Sequence, residues 1–188
     1  MLTVGALRPQ DVLVACKIYS FEISKEDWTY AKLSESVGLS AGEAHNAYRR
    51  CRSALLLTPG GQVACQHLVN LLTVAVPLVF YAARGGLALG MPTATWSPAL
   101  KASFAEPEGG LPTVWPCEVE CRGAVRGESV DPIYPTVPEA SRQDPMVYEL
   151  MALVDVMRIG GRRDREAAAK LISKAILGSD NQARGERR

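Results

Sequence analysis

The sequence predicts an α+β fold that is mostly α, with a helical N-terminal unit, a loop-rich middle and C-terminal helices. Apolar residues recur at three- and four-residue spacings between Pro9 and Ala54 and again between Pro145 and Leu177, the repeat of a helix with one buried face. Between Arg84 and Pro145 glycine and proline are frequent and that repeat is lost. Across 188 residues, 47% are hydrophobic and 22% charged, the balance of a chain that folds.

The first helix opens at Pro9, whose ring suits a first turn, and sets Val12, Leu13, Cys16 and Tyr19 on one side. Ser24 to Asp27 is a polar connection, and Thr29 is the N-cap of a second helix carrying Tyr30, Leu33 and Val37 inward. That helix stops at Gly38, the residue that best tolerates a left-handed end. Ser40 caps a third helix from Ala41 to about Ala54, with Glu43 at capping-box spacing. Leu55 to Leu57, the turn Thr58-Pro59-Gly60-Gly61 and Gln62 to Cys65 read as a short hairpin or as the link to a further helix. Cys65 to Val74 suits a helix and Val76 to Tyr81 a short strand. The apolar run Leu68 to Ala83 is interrupted by Asn70 and Pro77 and is too short to span a bilayer, so it reads as buried core.

Further on, short strands are expected at Thr113 to Trp115 and Glu118 to Val125. Asp144 caps a helix over Pro145 to Arg158, closed by Gly160-Gly161, and a last helix covers Arg163 to Leu177. The expected organisation is a helical N-terminal unit over residues 1–80, a loop-rich segment with short strands over 81–144, helices over 145–178 and a disordered tail over 179–188.

The functional signal lies between Trp28 and Leu57. A helix, a glycine turn and a second helix, with Leu33, Val37, Leu39, Ala44 and Ala47 at the crossing, form the layout of a helix-turn-helix, and the following hairpin supplies a small wing. In that layout the second helix enters the major groove with its first turns nearest the bases. Ser40, Ala41, Gly42, Glu43, His45 and Asn46 then face DNA, with Arg49, Arg50 and Arg52 toward the phosphates. Asn46 has the donor and acceptor for an adenine edge. Net charge is only +1, so basic character must be local, and Ala41 to Gly61 holds three arginines against one acid. The plain alternative is a helical packing unit whose arginines are solvated surface charges.

Leu7-Arg8-Pro9-Gln10-Asp11-Val12-Leu13-Val14, Trp28-Thr29-Tyr30, Gly38-Leu39-Ser40 and Glu43-Ala44-His45 together resemble bacterial winged helix-turn-helix regulators of the MarR-like kind. The likeness extends through Arg84-Gly85-Gly86, Gly90 to Ala94, Pro132 to Pro135 and Asp155 to Gly160. It implies a cytoplasmic homodimer that reads double-stranded DNA with its third helix and represses transcription of its own operon, beside phage-defence or toxin-antitoxin genes. One departure is the wing: Thr58-Pro59-Gly60-Gly61 is short and uncharged, where a MarR-like hairpin is longer with a basic tip.

Other chemistries find less support. Cys117 and Cys121 with His45 or His67 make four possible zinc ligands, but the second tight pair of a structural zinc site is missing. The two histidines lie in helical patterns without a paired nucleophile, and no phosphate-cradling glycine loop precedes a helix, so neither an enzyme nor a cofactor or metal site is expected. Five cysteines, an odd number, point to reduced thiols in a cytosolic compartment. The start of the chain, Met1 to Ala6, lacks the charged region of a secretory signal. From Arg158 onward nine basic residues face four acidic ones, and Arg158 to Arg163 could touch phosphates. The apolar face from Val147 to Met157 is either a dimer interface or core. The competing functional reading is a protein-interaction module, such as an antitoxin that neutralises a partner through Arg84 to Pro138.

Overall fold

The computed structural model describes residues 5–104, 110–117 and 123–185, with side chains described as far as residue 178. Two helices organise it. Helix α1 (Pro9–Ile23) is buried without interruption from Asp11 to Phe21, and α7 (Pro145–Ile159) is buried from Leu150 to Arg158. A helix apolar all round belongs in an interior. Their side chains join one continuous hydrophobic cluster, so the N-terminal and C-terminal helices share a core.

Helix α1 packs against α2 (Tyr30–Val37) and α3 (Ala41–Ser53) as well as α7, and α7 packs against α6 (Val137–Gln143) and α8 (Arg162–Gly185). Tyr19 of α1 donates its hydroxyl to Ala175 O of α8 at 2.7 Å. Asp144 caps α7 by accepting from Met146 N and Val147 N at 2.9 and 3.2 Å. It also receives Lys17 Nζ at 2.7 Å and the Ser20 hydroxyl from α1. Burial pushes its carboxyl up, but the hydrogen bonds from Lys17 and Ser20 outweigh this and hold it below the ordinary value. One carboxylate thus starts a helix and fastens it to another.

The middle segment contains more regular structure than its composition suggests. Strands β1 (Arg84–Pro92), β2 (Thr113–Pro116) and β3 (Val125–Val130) close on themselves, β1 running antiparallel to both and β2 parallel to β3. So small a closure brings backbones close at Gly90 and Gly127, where an added Cβ would lie 2.1 Å from the carbonyl oxygens of Trp115 and Pro112. The sheet docks on α7 through Asp155, which accepts from Trp115 Nε1 at 2.6 Å and from the Thr93 hydroxyl at 2.9 Å.

Several expectations are corrected. Residues 76–81 do not form a strand: a π-turn (Leu71–Ala75) joins α4 (Cys65–Asn70) to α5 (Val76–Val79). Pro77 has no N–H to continue the regular ladder, and the chain widens just before it, with Val76 N–H reaching back to Leu71 O. Nor is Leu68 to Ala83 wholly core, because Val74, Leu78, Val79 and Tyr81 face solvent. The loop-rich reading of 81–144 missed β1, β3 and α6, and the strand expected from Glu118 falls mostly outside the described residues. The tail expected over 179–188 continues as α8 to Gly185.

The apolar face of Val147 to Met157 is not an interface, because it is buried in its own chain. Reduced thiols hold for Cys16, Cys51 and Cys65, whereas Cys117 is disulfide-bonded. Burial pushes the Cys51 thiol up to about 12, with Asp11 adding to the rise, so it stays protonated. Among the described residues, no helix is long and apolar enough to cross a membrane.

Candidate nucleic-acid interface

The turn between α2 and α3 follows from three local choices. Thr29 accepts from Lys32 N at 3.2 Å to start α2. Gly38 ends it in the left-handed region, with φ at 63°, and the next amide, Leu39 N, returns to Ser34 O at 2.9 Å. Ser40 then starts α3 by accepting from Glu43 N at 3.2 Å. A distant residue locks the bend: Thr136 donates its hydroxyl to Val37 O at 2.6 Å, and its Cγ2 would lie 3.0 Å from a Cβ placed on Gly38.

Residues of α3 divide by helical side. Ala44, Ala47, Arg50 and Cys51 are buried against α1, whereas Ala41, Gly42, His45, Asn46, Arg49 and Arg52 are exposed. Ser40 is also exposed at the start of the helix. Two residues expected to face DNA do something else. Arg50 turns inward, with Nε 2.8 Å from Asp11 Oδ2, one Nη 2.7 Å from Asp11 Oδ1 and 2.6 Å from Glu43 Oε1. Fully buried Asp11 is a carboxylate that must be paired, and a bidentate arginine is the partner best shaped for it. Glu43 does not complete a reciprocal capping box; its carboxylate is held by Arg50 and by Gln10 Nε2 at 3.0 Å. The Arg50 hydrogen bond keeps the Glu43 carboxyl below the ordinary range against the opposing effect of burial, with Gln10 and Arg8 adding to the depression. The single acid of α3 is therefore neutralised by its own neighbours.

An aromatic ladder that the sequence reading missed runs from the core to this surface. Phe21 stacks on Trp28 at 6.2 Å between centroids, Trp28 meets Tyr48 edge-on at 5.9 Å, Tyr48 meets Tyr30 at 5.4 Å and Tyr30 meets His45 at 5.1 Å. Tyr30, expected to point inward, is 40% exposed beside His45. Its signal in the sequence was the spacing of Trp28, Tyr30 and Tyr48, which the helical repeat alone does not reveal.

The hairpin after α3 shrinks to one antiparallel bridge, Leu57 with Val63, around Thr58 to Gln62. Arg52 Nη reaches Pro59 O at 3.4 Å, placing this turn beside the exposed end of α3. Beyond it a cleft of about 500 Å³ between Tyr48, Trp28 and Gly61 is lined by Glu22, Glu26 and Asp27 together with Lys25.

The second basic cluster is also changed by the fold. Arg158 is buried against Asp155 at 2.7 Å, Arg162 pairs with Glu166 at 2.9 Å, and Arg165 donates to Arg158 O at 3.1 Å. His67 lies 2.6 Å from Leu55 O, and among the described residues no three His, Cys, Asp or Glu side chains are grouped as metal ligands. Compared with known protein families, with characterised proteins and with solved structures, the chain matches none.

Proposed function

We propose that this protein is a sequence-specific, double-stranded-DNA-binding transcriptional regulator with a minimal winged helix-turn-helix, acting in the cytoplasm as a repressor of its own operon. The observation that carries this reading is the exposed side of α3. It presents the amide of Asn46, the ring of His45 and the guanidinium groups of Arg49 and Arg52, with no unpaired carboxylate among them. An amide near the start of the helix suits a base edge, and arginines one to two turns later suit the phosphates beside it.

The buried Arg50 matters to the test. Replacing Arg49, Arg50 and Arg52 together would confound loss of binding with loss of fold, so the informative variant is Arg49→Ala/Arg52→Ala. With duplex from upstream of its own coding sequence, the parent should bind in the nanomolar range with affinity falling steeply as salt rises. The double variant should bind at least about tenfold more weakly, and its slope of log affinity against log salt should be smaller by about 2. Equal binding by parent and variant would remove α3 from the interface.

A second reading, a protein-interaction module acting through residues 84–138, is favoured by one observation. Leu87, Leu89 and Leu111 of the sheet region are 58%, 42% and 50% exposed. Capture of a co-encoded partner that is lost in Leu87→Asp, by a protein indifferent to DNA, would decide for it.

A further inference from the structure

The cleft beside the connection between α1 and α2 has no part in the duplex reading, yet its walls are not those of plain surface. Phe21, Trp28 and Tyr48 supply aromatic rings, and three carboxylates, Glu22, Glu26 and Asp27, stand against the single ammonium of Lys25. It forms where the end of α1, the connection that follows, the middle of α3 and the turn at Gly60-Gly61 come together. The turn packs tightly there: Gly61 holds φ at 84°, and a Cβ on it would lie 2.8 Å from the Tyr48 hydroxyl.

Three observations give the cleft a preference for positive charge. Its aromatic wall already holds ammonium groups of the chain itself, Lys17 Nζ lying 4.3 Å and Lys32 Nζ 5.5 Å from the centre of the Phe21 ring. Trp28, stacked on Phe21, carries the ring that attracts a cation most strongly. Second, α1 has no basic residue in its last turn, so nothing within the helix offsets the negative end of its dipole where it reaches the cleft. Third, one carboxylate is unused. Glu26 pairs with Lys32 at 2.5 Å and Glu22 accepts from Val63 N at 2.7 Å, whereas the Asp27 carboxylate has no hydrogen bond or ion pair among the described residues.

From this arrangement we infer that the cleft is a binding site for a small organic cation, an ammonium group on a flat apolar body. The body lies against Trp28 and Tyr48, and the ammonium meets Asp27. A volume of about 500 Å³ suits such a ligand, since small-molecule sites run from roughly 300 to 1,000 Å³. An anion is repelled by the same carboxylates, and a neutral molecule gains the rings without the charge. Tyr48 belongs to α3 and its ring leads through Tyr30 to His45, so the ligand touches the root of the proposed reading helix. Control of duplex binding from here rests on the DNA reading; the site itself does not.

The test uses three probes with one body and different charge: phenethylammonium, phenethyl alcohol and phenylacetate. Each is titrated into the isotope-labelled full chain without duplex, following the indole N–H of Trp28 and the amides of Gly60 and Gly61. The ammonium should shift these signals and bind about tenfold more tightly than the alcohol, the factor expected of one cation–π contact and one exposed carboxylate pair together, with phenylacetate weaker still. Asp27→Asn, at an exposed position, should weaken the ammonium about fivefold and leave the alcohol unchanged. Cleft signals that stay still with the ammonium, an alcohol that binds as tightly, or a variant that keeps the full preference for the cation each overturns the inference. With no duplex present, this result and the gel-shift of the α3 variant succeed or fail separately.

Discussion

Arg50 and Arg158 look alike in the sequence, each in a basic cluster near a helix end and each expected to face a phosphate. The structure turns both inward and gives them the same task at different depths. Arg158 lies in a sealed site, where Asp155 is 1% exposed and the guanidinium also donates from Nε to Phe80 O at 2.7 Å and from one Nη to Asp131 O at 3.0 Å. Arg50 closes a site open at one edge, between buried Asp11 and the Glu43 carboxylate, 28% exposed. Each fastens elements remote in sequence: Arg158 holds α7 to the end of α5 and the segment after β3, and Arg50 holds α3 to α1. Arg50 thus serves the fold, whereas Arg49 and Arg52 on the same helix are exposed.

Removing the arginine is the sharpest test of that difference in depth. Arg158→Ala strands a buried carboxylate and two carbonyls, and should lower unfolding stability by about 4 kcal/mol in urea titrations. Arg50→Ala should lower it by about 3 kcal/mol, because water can reach Glu43 but not Asp11. Equal losses would mean the two sites are sealed alike. Ser40→Ala, which removes the cap of α3 but leaves Arg50 in place, should cost about 1 kcal/mol by the same measurement.

Acid should separate the sites by sign. Glu43 is depressed in the folded chain, so its contribution is complete above the ordinary glutamate value of about 4.3 and is lost as pH falls through the lower folded value. Burial raises Asp155, against the hydrogen bonds of Arg158, Thr93 and Trp115, so protonating it relieves a cost instead. Glu43→Gln should therefore flatten the loss of urea stability below about pH 4, an unchanged acid limb being the contrary result. The smallest effect belongs to the exposed pair: Arg49→Ala/Arg52→Ala should change stability by less than about 0.5 kcal/mol, and a larger loss would show that these side chains also support the fold.

How much could be read in advance follows from how local each cause is. The ends of α2, α3 and α7 were legible because Thr29, Gly38, Ser40 and Asp144 act on amides within a few residues. Strand β1 was not, since Gly85, Gly86 and Gly90 read as loop, and the need for Gly90 arises only when Trp115 closes on it. The inward turn of Arg50 was half legible. Ala44, Ala47 and Arg50 follow one another at three-residue spacing on the buried side, but Asp11, the partner that makes a buried arginine tolerable, lies 39 residues away. The local surplus of arginine was legible; its division between fold and surface required the tertiary contact.

The most direct test of α3 as the reading helix is amide chemical-shift mapping of the labelled protein titrated with the upstream duplex. Shifts should concentrate from Ser40 to Arg52 and around Tyr30, with α8 unmoved. Changes confined to α8 or to β1, with α3 silent, would contradict the account.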